Sequence, residues 1–196
     1  MPNHVYNRVT FSGTRSDLYK VKKKLGMPHY MSQNIIPFNY FNLVAPTDEV
    51  AYRQGDAWYH WNIANWGTKW EAYELDCDFD QLDNDGDDDH RVDMLYAFCS
   101  AWSPPEKIMQ TMCQYLEDAK LDVDMHWWYE EENGWGGVVG YEPGISGLSV
   151  FEQWDEPSSH AEYVERHGRE CYCYDSGDKV WDDCPDPIKE EEEEEQ

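Results

Sequence analysis

Residues 4–11 alternate in polarity, with Val5, Val9 and Phe11 on one side and Tyr6, Arg8 and Thr10 on the other. That two-residue period predicts a half-buried strand. The period then changes. Leu18, Val21 and Leu25 fall three and four apart, which predicts a helix over residues 15–25, and Gly26 stands where a C-terminal glycine cap belongs. Residues 73–80 return to alternation: Tyr73, Leu75, Cys77 and Phe79 point one way, Glu74, Asp76, Asp78 and Asp80 the other. Asn84-Asp85-Gly86 supplies hairpin chemistry. A third strand follows at residues 91–99, with Val92, Met94, Tyr96 and Phe98 on one face.

Ser103-Pro104-Pro105-Glu106 reads as a capping box with proline in the first turn. The helix it opens carries Ile108, Met109, Met112, Tyr115, Leu116 and Ala119 on one stripe. A fourth strand at residues 121–130 puts Leu121, Val123, Met125, Trp127 and Tyr129 inward and Asp122, Asp124 and His126 outward. After Asn133-Gly134, residues 138–141 pair with it as a fifth.

The succession β-α-β-β-α-β predicts an α+β, ferredoxin-like fold in which two helices cover one face of an antiparallel sheet. The uncovered face then collects Glu74, Asp76, Asp78, Asp80, Asp93, Asp122 and Asp124. Residues 1–145 form this domain. Residues 27–72, rich in Asn, Pro and aromatics, are an insertion packed beside the core, because Trp58, Trp61, Trp66 and Trp70 need burial. Residues 146–184 read as a β-rich extension, with strands at 147–154 and 171–174. Residues 185–196, ending in a run of glutamates, read as a disordered acidic tail.

Charge sharpens the picture. Residues 1–72 hold eight basic and five acidic side chains, whereas residues 73–196 hold seven basic against 36 acidic, so net charges of +3 and −29 make up the −26 of the chain. Such a surface repels nucleic acid and anionic membrane and attracts proteins built to hold a polyanion. Halophilic acidity would be spread over both parts. No apolar run reaches the roughly 20 residues of a membrane span, and the polar start is not a signal peptide. Six cysteines without a dense framework predict reduced thiols in a cytoplasmic protein.

Candidate chemistry is thin. In the loop 81–89, Gly86 in sixth place puts Asp83 and Asp85 at EF-hand positions 3 and 5, but Gln81 and Val92 occupy 1 and 12, so the calcium motif fails. His160, His167, Cys171, Cys173 and Cys184 offer zinc ligands at the wrong spacing. There is no P-loop, no G-x-G-x-x-G and no G-x-S-x-G. No cofactor, metal or enzymatic activity is expected. Lys20, Lys22, Lys23 and Lys24 form a solvated basic run, or one that pairs with the acidic half or contacts a small anion.

Met1-Pro2-Asn3-His4-Val5-Tyr6-Asn7-Arg8-Val9-Thr10-Phe11-Ser12-Gly13 and Asn65-Trp66-Gly67-Thr68-Lys69-Trp70 resemble the YubB-like and phage Api-type proteins with a ferredoxin-like domain, over residues 1 to about 145. The resemblance implies a ferredoxin-like fold and a bacteriophage or plasmid origin. It implies no activity. The acidity and the Cys-rich C-terminal portion lie outside the shared pattern.

The open face separates two functional readings. RNA-recognition domains bind through such a face with aromatic and basic groups. Here Tyr6 and Arg8 stand among carboxylates, so direct nucleic-acid binding is not expected. Carboxylates at alternate strand positions repeat at roughly 6.5–7 Å, close to the spacing of phosphates along one DNA strand. The expected function is therefore a non-enzymatic inhibitor that occupies the basic channel of a host DNA- or RNA-handling or defence complex by mimicking nucleic acid. Its phosphate surrogates are Glu74, Asp76, Asp78, Asp80, Asp83, Asp85, Asp87, Asp88, Asp89, Asp122 and Asp124, with Trp128 as an aromatic anchor. The alternative is an assembly module of the mobile element that docks through aromatic surface. The sequence leaves the oligomeric state open.

Overall fold

A computed structural model describes residues 3–32, 36–83, 90–168 and 181–185. They fall into two compact units, one within 1–132 and 136–154, the other within 133–135 and the described residues beyond 154. No described helix is long and apolar enough to cross a membrane.

The first unit is a six-stranded antiparallel sheet with helices. Strand β1 (His4–Thr14) leads into helix α1 (Arg15–Gly26). A 3-10 turn at Tyr40–Asn42 and helices α2 (Glu49–Tyr52) and α3 (Ala57–Trp66) follow. Then come β2 (Tyr73–Asp78), a helical turn α4 (Asp80–Asp83), β3 (Arg91–Ala101) and α5 (Glu106–Asp118). Strands β4 (Val123–Glu131), β5 (Gly136–Tyr141) and β6 (Ser149–Trp154) complete it. The strand order is β2-β3-β1-β4-β5-β6. The expected paired fifth strand is β5, and the strand expected at 147–154 is β6, but β6 pairs with β5 in this sheet and is not part of a separate extension beginning at residue 146.

The alternation read in the sequence places the core. Val5, Val9 and Phe11 of β1, Met94, Tyr96 and Phe98 of β3 and Val123, Met125 and Trp127 of β4 are buried together with Leu18, Val21 and Leu25 of α1 and Ile108, Met109, Met112 and Leu116 of α5. One polar rung crosses this layer. The Trp127 indole donates to Asn7 Oδ1 at 3.1 Å, and Asn7 Nδ2 donates to Ser100 Oγ at 3.0 Å, so the buried amide is satisfied at both ends. The segment 36–72 packs on the core, but of the four tryptophans expected to be buried only Trp66 is; Trp58 and Trp61 are half-buried and Trp70 is exposed. Phe38 stacks on Phe98 with ring centroids 5.0 Å apart and meets Tyr96 edge-on at 5.2 Å, while buried Trp66 donates its indole N–H to Val44 O.

Several local expectations are corrected. Gly26 ends α1 without a left-handed cap; the cap residue is Met27, which is extended. Ser103 does not cap α5. Its hydroxyl donates to Gly67 O, and the helix starts at Glu106 with no side-chain cap. Strand β2 is interrupted by a bulge between Tyr73 and Asp76, with Glu74 at φ 51°. The extra residue flips the alternation, so Tyr73 lies opposite Cys99 on the uncovered face and not on the helix side. Asp80 is not a strand residue; it opens α4.

In the second unit, α6 (His160–His167) is capped by Ser159, whose hydroxyl accepts the Glu162 N–H. Asp183 accepts the N–H groups of His160 and Ala161 at the same helix end. The expected strand at 171–174 and the tail at 186–196 lie outside the described residues.

Candidate interaction surface

Cross-strand register fixes which side chains share the uncovered face. One row runs Asp78, Leu95, Thr10, His126, Gly140, Ser149 from β2 to β6; the next runs Asp76, Ala97, Arg8, Trp128, Val138, Glu152; a third runs Tyr73, Cys99, Tyr6, Glu130, Gly136, Trp154. The middle of this face is not a carboxylate lattice. It holds exposed Tyr6 and Arg8, half-buried Leu95, Ala97 and Trp128, and on the β6 side the exposed ring of Phe151 stacked on His126 at 6.2 Å.

Carboxylates occupy two borders. On the β2 edge, Glu74, Asp76 and Asp78 are exposed, and among the described residues neither Asp76 nor Asp78 has a cation within ion-pair distance. Asp76 accepts the Cys77 N–H and Asp78 the Asp80 N–H, which orients both carboxylates on the strand. At the far end of β1, β3 and β4 the charges are largely internal. Arg91 donates to Asp122 Oδ2 at 3.0 Å, to Asp124 Oδ2 and to Ser12 O at 2.8 Å, and Asp93 accepts the Ser12 hydroxyl.

The eleven expected phosphate surrogates therefore separate. Glu74, Asp76 and Asp78 stay together, and Asp80 is exposed just beyond them. Asp83 is paired with Lys22 at 2.9 Å, and Asp122 and Asp124 share Arg91. Asp85, Asp87, Asp88 and Asp89 lie outside the described residues. Trp128 stands between Arg8 and Val138, half-buried. Of the basic run on α1, Lys22 alone pairs with the acidic part of the chain, bonding Asp83 and lying 4.2 Å from the Phe79 ring centre; Lys20 bonds Asp17 of its own helix, Lys24 lies over Tyr115 and Lys23 is exposed. Arg91, Phe151 and the Tyr73 flip escaped sequence reading. Arg91 was legible only as one cation on a strand, and its carboxylate partners become visible only once the register is known.

Three of the described thiols are unsuited to nucleophilic chemistry. Burial pushes Cys77 up to about 11 and Cys99 and Cys113 up to about 12, so all three are protonated at neutral pH and poor nucleophiles. Beside Cys99, the Sγ approaches Glu74 Oε2 at 3.5 Å, and that carboxylate further disfavours a thiolate. Of the zinc candidates, His160 and His167 sit on α6 and Cys184 is buried, while Cys171 and Cys173 lie outside the described residues. No cluster of three or more His, Cys, Asp or Glu side chains suited to a metal occurs among the described residues.

One carboxyl is unusual. Burial raises Glu71 from 4.5 to about 7, opposed in part by hydrogen bonds from the Tyr40 backbone and the Ser32 hydroxyl. Its Oε1 is buried without a partner, beside a cavity of about 360 Å3 lined by Met31, Phe41, Tyr52 and Arg53.

No family model, curated protein or solved structure matches the chain.

Proposed function

We propose that this chain is a non-enzymatic binding protein that inhibits a host nucleic-acid-handling or defence complex by occupying a basic protein surface. The observation that carries this reading is the run of exposed, unneutralised carboxylates on the β2 edge, Glu74, Asp76 and Asp78, within the half of the chain that carries net −29. The mimicry is partial. A few carboxylates stand in for phosphates along one edge, while Tyr6, Trp128 and Phe151 supply apolar contact area, the division of labour in which charge steers approach and buried aromatics hold the complex. We read the fold on the same footing as a ferredoxin-like βαββαβ core, supported by its succession of elements and widened by β5 and β6.

The test is a tagged pull-down from nuclease-treated bacterial lysate, with wild type beside Asp76→Asn/Asp78→Asn, washed at about 0.1 M and about 0.5 M salt. The Debye length falls from roughly 10 Å to about 4 Å over that range. The expected result is one DNA- or RNA-handling complex, released by salt or by competing DNA and weakened in the double variant. A partner held equally by both proteins at both salts overturns the reading. It would instead favour the second one, an assembly module docking through Tyr6, Trp128 and Phe151.

A further inference from the structure

The sequence element Trp66-Gly67-Thr68-Lys69-Trp70 plays no part in the acidic surface, yet every residue in it has a definite task. Trp66 anchors the segment in the core through Val44 O. Gly67, at φ 85°, ends α3 in the left-handed conformation that glycine adopts without a steric penalty. Thr68 is fully buried; its hydroxyl donates to Ala101 O at 2.8 Å and accepts the Ala101 N–H at 3.1 Å. Asn62 Nδ2 holds the Lys69 carbonyl at 2.8 Å. The backbone on both sides of Lys69 is thus fixed to β3 and α3, and its side chain is displayed at one place.

That place is a cluster of aromatic rings. Lys69 Nζ lies 4.2 Å from the ring centre of Trp102, 4.8 Å from that of Trp70 and 5.9 Å from that of Tyr59, within cation–π range of all three. Trp102 (42 % exposed) and Trp70 (36 % exposed) are large apolar groups left in contact with water. Trp102 also adopts φ 73°, a conformation unfavourable for a bulky L-residue, and its N–H is held by Asn3 O at 2.8 Å. A residue held in a strained conformation to present its ring to solvent points to use of that ring. The environment selects the sign of the ligand. Trp70 meets Tyr73 edge-on at 5.9 Å, and Tyr73 lies among Glu74, Glu132 and His4, with its phenol bonded to His4 Nδ1 at 2.7 Å.

We propose that Trp70, Trp102 and Tyr59 form a cage for an arginine or lysine side chain of a basic partner, and that Lys69 occupies this cage in the free protein as an internal competitor. The inference rests on the acidic-surface reading and adds to it the chemistry of one contact: a single cation entering between the two indoles, with carboxylates beside it on the β2 edge. Lys69 shows that an ammonium group fits. A guanidinium fits better, because its flat face stacks on an indole and gives up less hydration than an ammonium.

Calorimetric titration with a nine-arginine peptide and a nine-lysine peptide, at about 0.05 M salt, tests this on the full chain. Lys69→Ala empties the cage and is expected to tighten the arginine peptide about fivefold. Lys23→Ala removes the same charge from an exposed position on α1 and is expected to change binding less than twofold. Trp102→Leu is expected to weaken the arginine peptide about tenfold and to abolish the gain from Lys69→Ala; Trp70→Leu serves as the second variant if Trp102→Leu melts early. The arginine peptide should also bind wild type more tightly than the lysine peptide. Equal gains from Lys69→Ala and Lys23→Ala, or full affinity in both indole variants, overturn the cage. In that event a loss of affinity in Asp76→Asn/Asp78→Asn would leave the acidic-surface reading standing. No binding of either peptide to any variant removes both.

Discussion

Glu71→Gln isolates one buried charge in a chain with 41 acidic side chains. Glu71 is mostly buried, its Oε1 has no partner, and the bonds that reach the carboxyl, from the Tyr40 backbone and from the Ser32 hydroxyl at 3.4 Å, offset burial only in part. Burial therefore favours the neutral carboxyl and raises it from 4.5 to about 7. For an acid raised in the folded state, the sign is fixed. Below pH 4.5 the group is neutral in both states and makes no difference; between pH 4.5 and 7 the unfolded chain ionises first, and folding is progressively penalised; above 7 the penalty is complete. Each tenfold step in the equilibrium is worth about 1.4 kcal/mol, so the full penalty is at most about 3 kcal/mol. Solvent relaxation around a group that is not wholly enclosed reduces this to about 2 kcal/mol. For a chain of this size that corresponds to about 4–8 °C in Tm. The assay is urea unfolding of wild type and Glu71→Gln at pH 4.5, 6 and 8, at about 0.2 M salt. The general repulsion among the other carboxylates grows with pH in both proteins and cancels in the difference. Glutamine is isosteric and supplies a hydrogen-bonding amide, so the variant should match wild type at pH 4.5 and exceed it by about 2 kcal/mol at pH 8. A constant difference across this range would refute the burial argument.

Two further perturbations probe the sheet. A Cβ on Gly136 would lie 2.3 Å from the backbone Tyr129 O, which cannot move without breaking the β4–β5 pairing, so Gly136→Ala should lose about 3 kcal/mol in urea unfolding. A Cβ on Gly140 meets the exposed Phe151 ring at 2.3 Å, which can swing away, and the Met125 backbone O at 3.3 Å, which needs only a few tenths of an ångström of relief; Gly140→Ala should lose about 1 kcal/mol, less than Gly136→Ala, while the His126 ring protons shift as the stack opens. Arg91→Gln leaves Asp122 and Asp124 without their shared cation, so it should destabilise by about 1 kcal/mol at about 0.05 M salt and by much less at about 0.5 M.

Much of the fold was legible because apolar residues recur with the correct period. Val5, Val9 and Phe11, then Leu18, Val21 and Leu25, then Ile108, Met109, Met112 and Leu116 are buried as their spacing predicted, whereas Tyr115 of the same expected stripe is half-buried and Ala119, just past the end of α5, is exposed. What failed was detail set by tertiary contacts. Ser103-x-x-Glu106 has the capping pattern, but Gly67 O takes the Ser103 hydroxyl. The same pattern at Ser159-x-x-Glu162, unread in the sequence, does cap α6. It was the available signal for a helix whose single buried residue, Tyr163, gives no periodic stripe. The bulge at Glu74 was hidden because alternation carries no marker of an inserted residue, and missing it put Tyr73 on the wrong face. At the site, sequence gave the carboxylates but not their partners. Asp122 and Asp124 look identical to Asp76 and Asp78 until the register brings Arg91 to the first pair and, among the described residues, no cation to the second. The Lys69 cage was hidden for the same reason, since Trp102 and Tyr59 are far from it in sequence.

The two features proposed to contact a partner lie along one edge. Strand β2 is terminal in the sheet order, so one side of it has no neighbouring strand among the described residues. Exposed edges invite pairing between copies, and proteins suppress this with charge and bulges. Both devices occur here: a bulge between Tyr73 and Asp76, and exposed Asp76 and Asp78 beyond it. Two copies meeting edge to edge would bring like charges together, which is unfavourable at the low dielectric of a closing interface. A basic chain meets the opposite situation. From Tyr73, which touches the cage residue Trp70, to Asp78 is five residues, roughly 17 Å along a strand. About five residues of an extended basic segment span that distance, enough to place one side chain between Trp70 and Trp102 and others against Asp76 and Asp78. The arrangement that discourages self-association thus favours a cationic partner, because both follow from carboxylates on an edge strand that have no cation within ion-pair distance among the described residues.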